Sequence, residues 1–234
     1  MNCCLGKIKI YSLIFFLVII INSWTWELLN QDLFLTIILL TITGSLFLLT
    51  FIKDNLWRKI ILVILILVYG IGIFSLLNNH FDQSLREKNP TEMDIALRRH
   101  GFFAEGLGQL FTNKFSLNYY SNWYYPVSNY SRNISYSIDP NLYFFMSHPR
   151  EKSGIDEFDK YAPFLLPFFI IGLLSYFLSL GKYKLLTIYL ITAILLTGFI
   201  TPHYKLGPVL LFPFVNLIII LGSLKILDYI GKKT

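Results

Sequence analysis

The chain has 234 residues, of which 55% are hydrophobic and 15% are charged, and its formal net charge is +6. A soluble domain carries about 25% charged residues, so this composition argues against a soluble fold and favours a membrane protein. The surplus of basic residues does not indicate nucleic-acid binding, because the bases of the short connections sort to one side of a predicted membrane.

Six long apolar segments divide the chain, and none contains Asp, Glu, Arg or His. They are approximately residues 10–26, 33–52, 60–77, 163–180, 185–200 and 206–227. An apolar segment of about 20 residues is long enough to cross a bilayer as a helix. We therefore predict an all-α membrane protein with six transmembrane helices. Residues 1–78 and 163–234 form two three-helix units, and residues 79–162 form one large extracytoplasmic loop.

The basic residues of the short connections define the predicted orientation. One side carries Lys7, Lys9, Lys53, Arg58, Lys59, Lys182, Lys184, Lys225, Lys232 and Lys233. The short connections on the opposite side contain one base, Lys205, together with the acids Glu27 and Asp32. By the positive-inside rule, both termini are cytoplasmic and the long loop is extracytoplasmic. Cys3 and Cys4 then lie on the cytoplasmic side, where neither a disulfide framework nor a metal site is expected.

The first apolar segment is interpreted as a retained signal-anchor helix. No small-residue cleavage motif follows Asn22. Trp24 and Trp26 are typical of an aromatic anchor at the membrane–water interface.

The long loop begins with a predicted amphipathic helix. Thr91 is followed three residues later by the acid Asp94, as at a capped helix start. Apolar residues then recur at helical spacing, namely Met93, Leu97, Ala104, Leu107 and Phe111. Glycines at positions 101, 106 and 108 are expected to weaken or interrupt the helix. We interpret this helix as packing against the membrane helices, in preference to a lid over a lipid-facing groove.

The middle of the loop is rich in aromatic residues, chiefly at positions 119–126. Tyr and Trp stack on sugar faces, but they also populate the membrane–water interface, which is the preferred interpretation. Two glycosylation sequons begin at Asn129 and Asn133, and they matter only in a host that glycosylates.

Residues 139–160 form the chemically most varied part of the loop, with an aromatic strip followed by titratable side chains. His148 is a candidate acid or base, and Arg150 is a candidate phosphate ligand. Asp156 or Glu157 is a candidate for binding a cation or activating a hydroxyl. The alternative is a structural network in which His148, Arg150 and Glu151 bind one another.

Short motifs in the second half of the chain resemble a known family. Residues 129–174 contain, in order, Asn-Tyr-Ser, Asn-Ile-Ser, Asp-Pro-Asn-Leu-Tyr-Phe-Phe, His-Pro-Arg-Glu and a proline-containing apolar helix. This order resembles the late lumenal loop and following helix of multi-pass glycosyltransferases of the C superfamily, protein-mannosyltransferase type. Residues 203–214, which begin His-Tyr-Lys and end Phe-Pro-Phe, resemble the start of a late helix in the same enzymes. The resemblance covers less than half of the chain.

The resemblance implies transfer of a sugar from a polyprenyl-phosphate donor at the outer membrane face. The family's catalytic acid lies in a large first external loop, whereas the first external connection here is short and offers Glu27 and Asp32 as candidate catalytic residues. The candidate substrate-binding residues are His148, Arg150, Glu151, Asp156 and Lys205. No cofactor is evident, although a transferase of this kind is compatible with a divalent cation. A truncated or noncatalytic relative is easier to reconcile with this sequence than a complete transferase.

Two other classes of function are open. The chain is alternatively a noncatalytic structural or assembly subunit of a multi-protein membrane complex, in which its helices pack against other membrane subunits. A transporter or channel is disfavoured, because the uncharged apolar segments offer no proton relay or ion path. The expected partners are membrane lipids, together with a polyprenyl-phosphate sugar or other membrane subunits, and not nucleic acid.

Overall fold

A computed structural model describes residues 2–52, 55–86, 90–108, 113–145, 158–201 and 204–231. These residues form helices joined by turns, and within the described ranges the extended pairing is limited to one antiparallel bridge between Phe81 and Ile200. The helices are α1 (Asn2–Ile21), α2 (Ser23–Gln31), α3 (Leu33–Phe51), α4 (Asn55–His80), α5 (Pro90–Leu107), α6 (Lys114–Asn118), α7 (Tyr124–Ile138), α8 (Asn141–Phe144), α9 (Leu166–Phe177), α10 (Lys184–Thr197) and α11 (Phe212–Ile230). The predicted all-helical class is therefore confirmed for the described part of the chain.

Three of the described helices are long and apolar enough to cross a membrane: Leu33–Thr50, Asn55–His80 and Val209–Ile230. A fourth is obtained if the bent pair of α1 and α2 is counted as one span. The apolar helices at Pro163–Phe177 and Lys184–Thr197 are shorter. Their apolar segments also contain turn residues, so less of each segment is helical than the sequence suggested.

The first predicted helix is divided at Asn22, and its two parts meet at an angle of 64°. Asn22 has an extended backbone, and its side-chain oxygen accepts a hydrogen bond from the Trp24 backbone N–H at 2.8 Å. A side chain that caps a new helix competes with continuation of the preceding one. Trp24, in the first turn of α2, is fully buried at 0% exposure, whereas Trp26 is 53% exposed. Of the two tryptophans predicted to form an aromatic anchor, only Trp26 therefore presents its ring at the protein surface.

Helix α11 occupies the centre of the fold, and every residue from 212 to 220 is buried. It packs closely against α9 at two glycines. A Cβ on Gly172 would collide with the backbone carbonyl of Ile218, and a Cβ on Gly222 would collide with that of Phe168. Small residues are what allow two helix backbones to approach this closely.

The predicted amphipathic helix is present as α5. It continues through Gly101 and Gly106 and ends before Gly108, whose φ of 58° is in the left-handed region favoured by glycine at a helix end. Of the two expected effects, weakening or interruption, the helix shows no interruption at Gly101 or Gly106, because glycine weakens a helix without having to break it.

Helix α7 buries the asparagines of both sequons. Asn129 and Asn133 are only 4% and 3% exposed. The Asn133 amide donates hydrogen bonds to the Asp82 carboxylate at 2.7 Å and to the Gly198 carbonyl at 3.2 Å. The folded chain therefore does not present these amides for glycosylation.

Replacement of Gly172 by alanine is expected to destabilise the fold, because the new methyl group overlaps the α11 backbone. Overpacking of this kind costs about 1–3 kcal/mol, and a backbone atom yields less readily than a side chain. The matched control is Gly44→Ala on α3, where an added Cβ has no neighbour within 4 Å. Thermal unfolding of the purified variants in detergent should show a lower midpoint for Gly172→Ala only; equal midpoints would contradict the close crossing.

Candidate functional site

Three polar side chains from distant parts of the sequence meet at one end of the fold. Asp32 lies between α2 and α3, His80 ends α4, and Tyr204 follows α10. The rings of His80 and Tyr204 stack with centroids 3.9 Å apart and an interplanar angle of 33°. The Asp32 carboxylate is close enough for its charge to act on both rings. We call Asp32, His80 and Tyr204 the acidic–aromatic cluster.

Asp32 is held in place by the two helices that it joins. Its backbone N–H donates to the Leu28 carbonyl at 2.9 Å, which closes α2. Its Oδ1 atom accepts from the Leu35 N–H at 2.9 Å, which caps the start of α3. Oδ2 receives no hydrogen bond from any residue that the structure describes. One oxygen thus fixes the carboxylate, while the other remains available for chemistry.

His80 and Tyr204 are aligned by the backbone around Thr201. The Thr201 N–H donates to the His80 carbonyl at 2.9 Å, and the Tyr204 N–H donates to the Thr201 carbonyl at 3.2 Å. Burial raises the pKa of the Tyr204 phenol, and the negative charge of Asp32 raises it further. The phenol therefore stays protonated at neutral pH and can act as a hydrogen-bond donor.

Lys205 is exposed beside this cluster on a fixed loop. The loop is fixed because the Leu206 carbonyl accepts a hydrogen bond from the Trp24 indole at 2.8 Å. Gly207 then adopts a φ of 73°, and its N–H donates to the Tyr204 carbonyl at 2.8 Å. Lys205 directly follows Tyr204 in the sequence. This candidate phosphate ligand therefore lies beside the cluster.

Trp24, which fixes the loop that carries Lys205, also packs against three aromatic rings. Its ring lies 5.4 Å from Phe212, 5.7 Å from Tyr143 and 5.9 Å from Tyr161, measured between centroids. Its backbone N–H donates to the Lys160 carbonyl at 3.1 Å, and the Lys160 ammonium lies 5.8 Å from its ring. These contacts join α2 to α8, to α11 and to the segment before α9.

The other sequence candidates are not assembled at this cluster. Glu27 lies within α2, where its carboxylate accepts a hydrogen bond from the Gln31 amide at 3.0 Å. His148, Arg150, Glu151 and Asp156 lie outside the described residues. Among the residues that are described, no group of three or more His, Cys, Asp or Glu side chains is arranged to hold a metal ion.

Sequence reasoning proposed Asp32 and Lys205 as candidates, and it did not single out His80 or Tyr204. His80 lies where the third apolar segment meets the loop. That position is the sequence feature from which a role for His80 could have been predicted. The acidic–aromatic cluster combines a carboxylate, an imidazole and a phenol with a nearby ammonium. Such a set can accept a proton from a hydroxyl group and hold an anionic leaving group.

Trp24→Phe is expected to destabilise the loop that carries Lys205. Phenylalanine keeps the aromatic packing but leaves the buried Leu206 carbonyl without its donor, at a cost of about 1–3 kcal/mol. Trp26→Phe is the control, because the Trp26 indole bonds the Ile20 carbonyl at an exposed position. Unfolding in detergent measures both changes, and equal losses of stability would argue against the buried hydrogen bond.

Stability should fall at alkaline pH because burial raises the pKa of Tyr204, Tyr143 and Tyr161. The protonated phenols stabilise the fold fully below about pH 10, the ordinary tyrosine pKa. That contribution is lost as the pH rises toward the folded-state values, because the unfolded chain releases its protons first. Midpoints of unfolding measured against pH should fall less steeply for Tyr204→Phe than for the wild type. An unchanged slope would contradict the assignment, and Tyr229→Phe at an exposed position is the control.

No family model matches the chain, and neither a curated protein nor a solved structure is similar to it. The resemblance to membrane glycosyltransferases therefore depends on the short motifs at residues 129–174 and 203–214 alone. The chemistry of the acidic–aromatic cluster provides a separate line of argument about function.

Proposed function

We propose that this chain is a glycosyltransferase-like integral membrane protein that engages a polyprenyl-phosphate-linked sugar at the extracytoplasmic end of its helices. The observation that carries the proposal is the meeting of Asp32, His80 and Tyr204 beside Lys205. A carboxylate can accept the proton of the acceptor hydroxyl in a sugar transfer. Protonated or cationic hydrogen-bond donors can stabilise the charge of the lipid phosphate that leaves.

The proposed membrane arrangement has six spans: the bent pair of α1 and α2, the three long helices, and α9 and α10 as short spans. Asp32 starts α3 and His80 ends α4, so the two residues meet because these neighbouring helices run antiparallel. Arg58 lies near the start of α4, at its opposite end. By the positive-inside rule the basic end is cytoplasmic, and the acidic–aromatic cluster is extracytoplasmic. Both termini are then cytoplasmic.

In the proposed reaction, Asp32 accepts the proton of the acceptor hydroxyl through Oδ2. The acceptor oxygen forms a bond to the anomeric carbon while the bond from that carbon to the phosphate oxygen breaks. The departing polyprenyl phosphate keeps the bonding electron pair, and its charge is met by the Lys205 ammonium and the Tyr204 hydroxyl. His80 positions Tyr204 through the ring stack. No described residue group calls for a divalent cation in this scheme.

Asp32→Asn is expected to lower sugar transfer by about 10²–10⁴-fold, because an amide cannot act as the base. Asparagine caps a helix as well as aspartate does, so the variant should keep the α3 cap and the fold. Glu27→Gln is the matched control, since Glu27 contacts Gln31 and not the cluster. The assay uses proteoliposomes with polyprenyl-phosphate mannose labelled in the sugar and measures label released from the lipid.

The outcomes separate catalytic and noncatalytic forms of the proposal. Equal transfer by the wild type and Asp32→Asn would overturn the assignment of the base. Binding of polyprenyl phosphate without transfer, weakened by Lys205→Ala, would identify a noncatalytic relative. Absence of both binding and transfer would overturn the proposal, and a stable membrane partner retained in mild detergent would then favour the subunit alternative.

A further inference from the structure

A cleft with apolar walls and a basic rim lies at the end of the helices opposite the acidic–aromatic cluster. A cavity of about 120 Å³ opens between α3, α10 and α11. A neighbouring cavity of about 150 Å³ shares the walls formed by Thr50, Lys182, Tyr183, Leu221 and Leu224. We call the two cavities together the basic cleft.

The walls of the basic cleft are hydrocarbon. Leu46 from α3, Leu186 from α10, and Leu217 and Ile220 from α11 line the first cavity, and all four side chains are buried. Two of these helices, α3 and α11, are long and apolar enough to cross a membrane. The cleft therefore extends from the helix ends into the depth that the apolar tails of lipids occupy.

The rim of the first cavity is basic. Arg58, Lys182 and Lys184 line it, and all three side chains are exposed. No carboxylate among the described residues lies within ion-pair distance of these three bases. Lys182 also lies 5.4 Å from the ring centroid of Tyr183, which is itself buried. Three positive charges thus converge from α4, from the α9–α10 turn and from the start of α10.

The second cavity has a different charge balance. Lys182 and Lys225 line it, but so does the carboxylate of Asp228. An anionic group is therefore favoured on the side of Arg58 and Lys184. The second cavity, with the hydroxyls of Ser175 and Ser179, offers space for the polar remainder of the same molecule.

We infer that the basic cleft binds an anionic glycerophospholipid, with its phosphate at Arg58, Lys182 and Lys184 and an acyl chain against the apolar walls. Basic pockets between membrane helices attract anionic headgroups, and each base near the surface adds to the binding. The combination of charge and hydrocarbon in one cleft favours a lipid over a free anion. This inference shares the membrane setting of the proposed function but is independent of its sugar chemistry, which lies at the other end of the helices.

The test counts lipids retained by the full chain in native mass spectrometry, with phosphatidylglycerol or phosphatidylcholine added to the detergent-purified protein. The wild type should retain phosphatidylglycerol in preference to phosphatidylcholine. The variant Arg58→Ala/Lys182→Ala/Lys184→Ala should bind phosphatidylglycerol more weakly, by roughly fivefold for each base removed. The matched control removes three exposed bases elsewhere in the chain, as Arg86→Ala/Arg98→Ala/Lys114→Ala.

Two further arms separate a lipid site from a general charge effect. Lys182→Arg/Lys184→Arg keeps the charges and should keep the binding. Leu221→Phe narrows the wall shared by both cavities and should weaken binding without changing charge. Unfolding midpoints establish that each variant is folded.

The inference would be overturned by equal retention of the two lipids, or by equal losses in the two triple-alanine variants. It would also be overturned if inorganic phosphate displaced phosphatidylglycerol completely, since the site would then hold an anion only. Because no sugar donor is present, these results stand apart from the outcome of the transfer assay.

Discussion

The burial of Trp24 is the constraint on which the rest of the structure depends. A tryptophan inside a fold needs a partner for its indole N–H, and here that partner is the Leu206 carbonyl. The same ring packs against Phe212 at the start of the central helix and against Tyr161 before α9. Trp24 thus links α2 to the loop before α11. The loop that carries Tyr204 and Lys205 is fixed through this side chain.

The two ends of the helices have different chemical character. At one end, the Asp32 carboxylate caps α3 and lies near the rings of His80 and Tyr204. Lys205 is exposed beside them. At the other end, bases from separate connections surround apolar cavities. The acidic–aromatic cluster and the basic cleft are therefore chemically distinct candidate sites at opposite ends of the helices.

The helical class and most helix positions could be predicted from the sequence, because long uncharged segments leave few alternatives. The break at Asn22 could not, since it depends on a side chain that caps α2 and also bonds Asn216. The same applies to Trp24, whose burial depends on residues far along the chain. Asp32 was predicted as a candidate from its position in a short connection, whereas its pairing with His80 and Tyr204 is a property of the packed helices. Helix propensity and hydropathy depend on residues that are neighbours in the sequence, whereas these contacts join residues that are far apart in it.

The hydrogen bond between Asn22 and Asn216 has a consequence for the order of assembly. The two amides are fully buried and 194 positions apart. While the chain is being synthesised, Asn22 is made long before its partner Asn216 exists. Until α11 arrives, the early helices hold an amide that is satisfied only locally, through the Trp24 N–H. Helix α11 therefore supplies the partner that completes the buried polar contact of Asn22, a residue made 194 positions earlier.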